Sequence, residues 1–314
     1  MIQTSPTHVV FGSGPLGLSV VDELLARGKP VRVVNRSGKA DVPAGVEVVS
    51  ADAFDPRQVQ EACADAGYVY QCAQPAYQHW VTQFPPFQEN ILNAAAARGA
   101  RLIVGDNLYM YGEVDGKIHE ELPNAARTRK GCTRARMAEA VLAAHYAGKV
   151  NAVIARGADF FGPRVLGSVL GERVFIPALR GKSARFVGSL DQPHTFTYIA
   201  DFGKAMLTLA ENEGAYGQVW HVPNAETLTQ RQIGELIFAI LGAPPKMSAM
   251  GRLMMGMGGL FIPEARESLE MMYEFEKPFI VESSKFTRAF GVTATPLRDA
   301  LSATIAWYRG YLNG

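Results

Sequence analysis

The stretch Thr7-His8-Val9-Val10-Phe11-Gly12-Ser13-Gly14-Pro15-Leu16-Gly17 decides how this 314-residue chain folds. A short β-branched and aromatic run ends in glycine, and a helical apolar pattern opens at Pro15, which predicts a strand that turns directly into a helix. The glycines stand at G-x-G-x-x-G spacing between those two elements. In that context Gly12 permits the tight turn, Gly14 lets the backbone approach a pyrophosphate, and Gly17 lets the helix pack close to the strand. The helix N-terminus adds amide donors and a positive dipole end, and Ser13 and Leu16 complete the loop.

Working outward, Val-rich runs recur in PVRVVNR (30–36), VEVVSAD (46–52), YVYQCA (68–73), RLIVGDN (101–107) and VNAVIAR (150–156). Helical patterns separate them at Pro15 to Arg27, Asp55 to Asp65, Phe87 to Arg98 and Cys132 to Gly148. This alternation predicts βαβ units and a Rossmann-type α/β fold, a doubly wound parallel sheet buried on both faces, with at least six strands by Arg156. After FFGPR (160–164) the rhythm breaks into Gly, Pro and basic residues. The expected division is a dinucleotide-binding domain over 1–162, to which 196–222 return, and a smaller substrate-binding part from 163–195 and 223–314.

Composition narrows the class. Hydrophobic residues are 48% and charged residues 19%, and 31 Lys+Arg against 30 Asp+Glu leave a net charge of +1, so neither disorder nor a nucleic-acid or membrane partner is expected. Cys63, Cys72 and Cys132 are too few and too scattered for a disulfide framework or a zinc site; they read as reduced thiols of a cytoplasmic protein, with no metal. Neither an export signal nor a membrane span is expected, since the apolar run from Leu253 to Pro263 is too short to cross a bilayer.

Cofactor choice is read at the end of the second strand. An acid there would grip the ribose 2′-hydroxyl of NAD, but the chain has Asn35-Arg36-Ser37. A guanidinium flanked by amide and hydroxyl groups suits a 2′-phosphate, so NADP(H) is expected. Strand order places Asp52 and Ala53 near the adenine and Cys72, Ala73 and Gln74 near the nicotinamide ribose.

With these residues in view the chain resembles the extended short-chain dehydrogenase/reductase superfamily, in particular its NAD-dependent epimerase/dehydratase branch and its atypical members. Asp106-Asn107-Leu108-Tyr109-Met110-Tyr111-Gly112 looks like the family's Ser-Ser-x-x-x-Tyr-Gly block, RGADFFGP (156–163) like R-P-x-x-x-Y-G-P, and HTFTYIADFGKAM (194–206) like the late strand-to-helix segment. The catalytic signature departs from the family. Asn107 stands at the Ser/Thr position, and the Tyr-x-x-x-Lys window holds Lys130 and Arg134, with no tyrosine between Gly112 and His145. Reductases of the isoflavone-reductase-like branch resemble this arrangement, which implies Lys130 as the acid/base.

Lys130 and Arg134 are spaced i, i+4 and share a helical face. Arginine stays protonated, so Lys130 is the one that exchanges a proton; Arg134 would hold ribose hydroxyls or a substrate carboxylate. Asn107 can polarise an oxyanion, and Tyr109 or Tyr111 can supply a phenolic proton. His194 and His221 lack metal-ligand spacing and read as structural. Met250, Met254, Met255 and Met257 with Leu260 and Phe261 read as a packed helix rather than a lid, and Trp80, Phe84, Phe160 and Phe161 fit a core or an aromatic pocket equally. Glu89 to Ala97 suggests a homodimer by analogy.

The expected activity is an NADP(H)-dependent oxidoreductase that moves hydride to or from a small carbonyl or conjugated substrate. The alternatives are a nucleotide-sugar epimerase or dehydratase and a non-catalytic NADP(H)-sensing regulator.

Overall fold

The computed structural model describes residues 6–258 and 267–314. The chain forms two compact units: Met1–Met110 with Arg129–Arg156 and Phe202–Trp220, and Tyr111–Thr128 with Gly157–Asp201 and His221–Gly314.

The first unit is built on one sheet. Its strands are β1 (Thr7–Phe11), β2 (Val31–Asn35), β3 (Glu47–Ser50), β4 (Ala66–Gln71), β5 (Arg101–Asp106), β6 (Ala152–Arg156) and β7 (Val219–His221). They lie in the order β3-β2-β1-β4-β5-β6-β7, and β3 through β6 pair in parallel, with Val10 beside Val33 and Tyr70. The reversal of order at β1 and β4 makes the crevice at their carboxyl ends the ligand-binding position of an open α/β sheet. Val9, Val10, Val33, Val69, Leu102, Ile103 and Val153 are fully buried, as strands covered on both faces require.

Helices α1 (Pro15–Ala26), α2 (Pro56–Ala62), α3 (Trp80–Arg98), α4 (Arg129–Tyr146) and α5 (Ile199–Glu211) follow in chain order. Two begin earlier than the sequence suggests. The Pro85-Pro86 pair reads as a stop, yet α3 runs through it, because Trp80, Phe84, Phe87, Gln88 and Ile91 fall at helical spacing and are all buried. On α4 the buried face is Lys130, Thr133, Arg134, Met137, Val141 and Ala144, so a helical stripe that starts with a cation extends the element back to Arg129.

In the second unit a helix over Glu172–Leu179 occupies the Gly/Pro-rich stretch in which none was expected, its Val174, Phe175 and Ala178 facing inward. With Gln230–Leu241 and the final helix Leu297–Asn313 it encloses a core of Phe186, Ile237, Phe238, Leu301 and Tyr308. Thr229 and Gln232 cap Gln230–Leu241 reciprocally. The helix Arg252–Gly258 differs from the packed helix expected: Met255 is buried, but Leu253, Met254 and Met257 are exposed. Leu260 and Phe261 lie outside the described residues.

Candidate functional site

The glycine loop closes between β1 and α1. Gly12 adopts φ +110° and its N–H donates to Val34 O at 2.9 Å; a Cβ there would stand 2.9 Å from Ala73 N. A Cβ on Gly17 would meet Gly12 O at 2.0 Å, whereas one on Gly14 would meet nothing within 4 Å. The loop is therefore tight on its protein side and open above Gly14. Helix α1 has no side-chain cap at Gly14 and carries Pro15 in its first turn, which leaves the next amides and the dipole end for an anion.

Beside the loop lies a groove of about 360 Å³. Gly12, Asn35, Arg36, Asp52, Ala53, Ala73 and Gln74 of the predicted set line it, and Phe54, His79, Gln83 and Phe87, which sequence reasoning missed, help to enclose it. Phe54 and Phe87 meet edge to face at 5.6 Å and give an apolar wall suited to a base. Arg36 is exposed at the rim, and Asp52 is the one carboxylate among the lining residues.

Asn35 acts on protein rather than outward. Its Nδ2 donates to Ser13 Oγ (2.8 Å) and Lys39 O (2.9 Å), and its Oδ1 accepts from Ser37 Oγ (2.9 Å) and Gly38 N (2.8 Å). All four amide positions are used, so Asn35 fixes the β2 turn that presents Arg36. Asp52 likewise shapes its own turn by accepting Phe54 N at 3.0 Å. Cys72 does not line the groove: its Cβ lies 3.5 Å from where a Gly17 Cβ would be, behind the loop, and burial raises its thiol far above the ordinary range. The open space above Gly14, the wall of Phe54 and Phe87 and the exposed Arg36 are groups that could hold a dinucleotide.

At the carboxyl ends of β5 and β6 the structure assembles a charged cluster. Asp106 and Arg156 are ladder partners, with Arg156 Nε 3.1 Å from Asp106 Oδ2. Arg134 donates through Nε at 2.9 Å and also through Nη2 to Asp106 Oδ1, and its guanidinium lies 4.5 Å over Phe84 and 5.7 Å over Trp80. All three charged side chains are almost wholly buried. Arg134 is committed to Asp106 and the aromatic face of α3, where its guanidinium plane and fork find partners; the sequence reading has it hold ribose hydroxyls or a substrate carboxylate.

Lys130 is fully buried, its Nζ 4.5 Å over the ring of Tyr77, whose hydroxyl lies 3.5 Å from that of Tyr109. Trp80 packs against both tyrosines, at 4.9 and 6.0 Å. Tyr77 was missed by sequence reasoning; its signal is its position six residues past β4, at a strand's carboxyl end. Asn107 Oδ1 accepts Tyr109 N at 3.2 Å, and among the described residues its Nδ2 has no hydrogen-bond partner. Lys130, Tyr77, Tyr109 and Asn107 thus form one group.

Tyr111 is buried in the second unit with its hydroxyl 2.9 Å from His221 Nε2. His221 Nδ1 donates to Glu282 O at 2.9 Å, so both ring nitrogens are engaged. Among the described residues no cluster of His, Cys, Asp or Glu could hold a metal, and no helix is long and apolar enough to cross a membrane.

A parallel sheet reversing at β1/β4 over a glycine-rich phosphate turn defines the Rossmann-type class. Within it the chain belongs to the NAD dependent epimerase/dehydratase family, whose model matches residues 9–222. Among solved structures it is similar to UDP-glucuronic acid 4-epimerase from Bacillus cereus in complex with NAD, at 18% identity over 97% of this chain and 99% of that one, with a TM-score of 0.79. It is also similar to dTDP-glucose 4,6-dehydratase from Bacillus anthracis in complex with NAD, at 14% identity over 98% and 97% and the same score of 0.79. A third is the epimerase Mth375 from Methanothermobacter thermautotrophicus, at 16% identity over 98% and 94% with a score of 0.81. No curated protein matches the sequence.

Proposed function

We propose that the chain is an NADP(H)-dependent oxidoreductase that moves hydride between the nicotinamide and a small carbonyl or conjugated substrate, with Lys130 as the proton donor and acceptor. The observation that carries this reading is the fully buried lysine facing Tyr77 at the family's tyrosine position. Titratable side chains buried at the carboxyl ends of sheet strands concentrate at functional sites, which supports a chemical role for Lys130. Bound NADPH supplies the hydride. Gly12 to Gly17 hold the pyrophosphate, and Arg36 pairs with the 2′-phosphate. Asn107 Nδ2 donates to the reacting oxygen, while Lys130, through Tyr77 and Tyr109, delivers its proton. Arg134 and Arg156, locked on Asp106, keep α4 and therefore Lys130 in place.

The test uses NADPH deuterated at C4, on each face in turn, with a metabolite extract and mass spectrometry. Label is expected in a new metabolite, and Lys130→Met is expected to bind NADPH while transferring label about 100-fold more slowly. Wild-type transfer by Lys130→Met removes the lysine from the mechanism. NADPH binding without any transfer by the wild type moves the assignment to the sensing regulator.

Family membership and the NAD-bound relatives favour a second reading, a nucleotide-sugar epimerase or dehydratase. Release of NAD from the purified protein together with conversion of UDP-glucose or dTDP-glucose would replace the first reading with this one.

A further inference from the structure

Two segments of the second unit are free of acids. Residues 173–190 and 236–258 together hold six Lys and Arg and no Asp or Glu, in a chain whose net charge is only +1. Folding joins them: Ala184–Val187 and Met247–Met250 pair in parallel, with Ser248 beside Arg185. Lys246 O accepts Ala184 N at 2.9 Å and Lys246 Nζ donates to Gly181 O at 3.1 Å, which ties the start of one strand to the turn before the other. Arg180, Lys182, Arg185 and Lys246 are all exposed, and none of them pairs with a carboxylate among the described residues.

Beyond Gly251 the second of these strands enters the helix Arg252–Gly258. Met255 is its inward side chain and packs with Val187, Met272 and Phe275. Leu253, Met254 and Met257 are 80%, 53% and 55% exposed, and they make up half of the large hydrophobic side chains exposed among the described residues. Single exposed apolar residues are ordinary, but three within two turns of one helix form a patch. The strand sets this patch about 15 Å from Lys246, at roughly 3.3 Å per residue. Arg252 is held by Glu276, its Nε 3.1 Å from Oε1, so the uncompensated charge is that of the other four cations.

Charge decides what covers such a face. The same patch of a second copy would bring like charges together, which opposes docking. An anionic lipid surface satisfies both halves: each Lys or Arg beside it tightens binding about fivefold, and Leu and Met side chains enter the headgroup boundary. A helix of 7 residues lies along that boundary, being far too short to cross the hydrocarbon. We infer that this face of the second unit docks the protein on an anionic membrane surface, with Leu253, Met254 and Met257 entering the headgroup layer and Arg180, Lys182, Arg185 and Lys246 meeting the lipid charge. The assignment is independent of the chemistry proposed at Lys130.

The experiment sediments the full chain with vesicles of phosphatidylcholine alone and of equal parts phosphatidylcholine and phosphatidylglycerol, at low and at high salt. Binding at least tenfold tighter to the anionic vesicles, and weakened by salt, is expected; equal binding to both, or binding to neither, overturns the inference. Lys182→Glu combined with Arg185→Glu is expected to weaken binding about 25-fold or more, and wild-type binding by that variant overturns it too. Leu253→Trp, read as the difference from the wild-type emission, is expected to shift to the blue on anionic vesicles, and an unshifted emission shows that the apolar face stays out of the lipid and refutes the docking. Polyglutamate or duplex DNA bound as tightly as the anionic vesicles makes the patch a general polyanion site and overturns the lipid assignment. The substituted side chains are all exposed, and the vesicle comparison needs no variant.

Discussion

Gly14 and Gly17 of the same loop separate binding from folding. A methyl on Gly17 would stand 2.0 Å from Gly12 O and 2.8 Å from Gly12 C, both backbone atoms of the turn, so the loop or α1 must move. Overpacking of this kind costs about 1–3 kcal/mol, and at about 2–4 °C per kcal/mol for a unit of this size Gly17→Ala should lower the melting temperature by roughly 2–12 °C. A methyl on Gly14 meets no protein atom within 4 Å, and its backbone (φ −78°, ψ −178°) suits any residue. The poorer N-cap costs about 0.5 kcal/mol, and restricting the unfolded chain returns a similar amount. Gly14→Ala should therefore melt with the wild type. What the methyl occupies is the space above the loop that a pyrophosphate needs, so NADPH affinity should fall at least tenfold, about 1.4 kcal/mol. Thermal melts read by circular dichroism and titration of NADPH fluorescence check the pair. Wild-type NADPH affinity in Gly14→Ala, or equal losses of melting temperature in both variants, would refute the placement of the phosphates.

Arg36→Ala should weaken NADPH about 10–100-fold and leave NADH unchanged, by loss of a charge-assisted pair; equal NADH and NADPH affinities in the wild type would sink the cofactor choice. Asp106→Asn removes the buried carboxylate that Arg134 and Arg156 share, at a cost of about 3–5 kcal/mol; calorimetry showing an unchanged melting temperature contradicts the anchoring role. His8 is buried 4.5 Å from the Tyr68 ring with its Nδ1 3.0 Å from Tyr70 OH, and burial, then the Lys29 charge, lowers it from 6.5 to about 4. Between those values the unfolded state binds more protons than the folded one, so stability falls as pH falls from 6.5 toward 4, by up to about 3 kcal/mol; denaturant titrations of the wild type and His8→Phe across that range should diverge, and parallel curves reject the cause.

Where the periodicity was local, the sequence sufficed. Val9-Val10, Val33-Val34 and Ile103-Val104 each stand in strands of the central sheet, because runs of β-branched residues flanked by turns carry their own backbone preference. The helix at Glu172–Leu179 was obscured by Pro177 and the surrounding glycines, and α3 by its two prolines. In both cases burial of an apolar face outweighed local propensity.

By itself the sequence determined the glycine turn, the parallel order of its neighbours, the absence of an acid after β2 and the absence of a tyrosine between Gly112 and His145, since each is a matter of residue type at a fixed local spacing. Tertiary structure decided what the charges do. Arg134 shares a helical face with Lys130, but only the ladder register that sets Asp106 beside Arg156, with α3 turning Phe84 toward them, gives Arg134 its partner and leaves Lys130 against Tyr77. The same holds for His194, whose ring nitrogens meet Glu274 O and Asp159 Oδ2 only in the folded chain. Electrostatic partnership depends on distance and burial in three dimensions, and spacing along the chain carries neither.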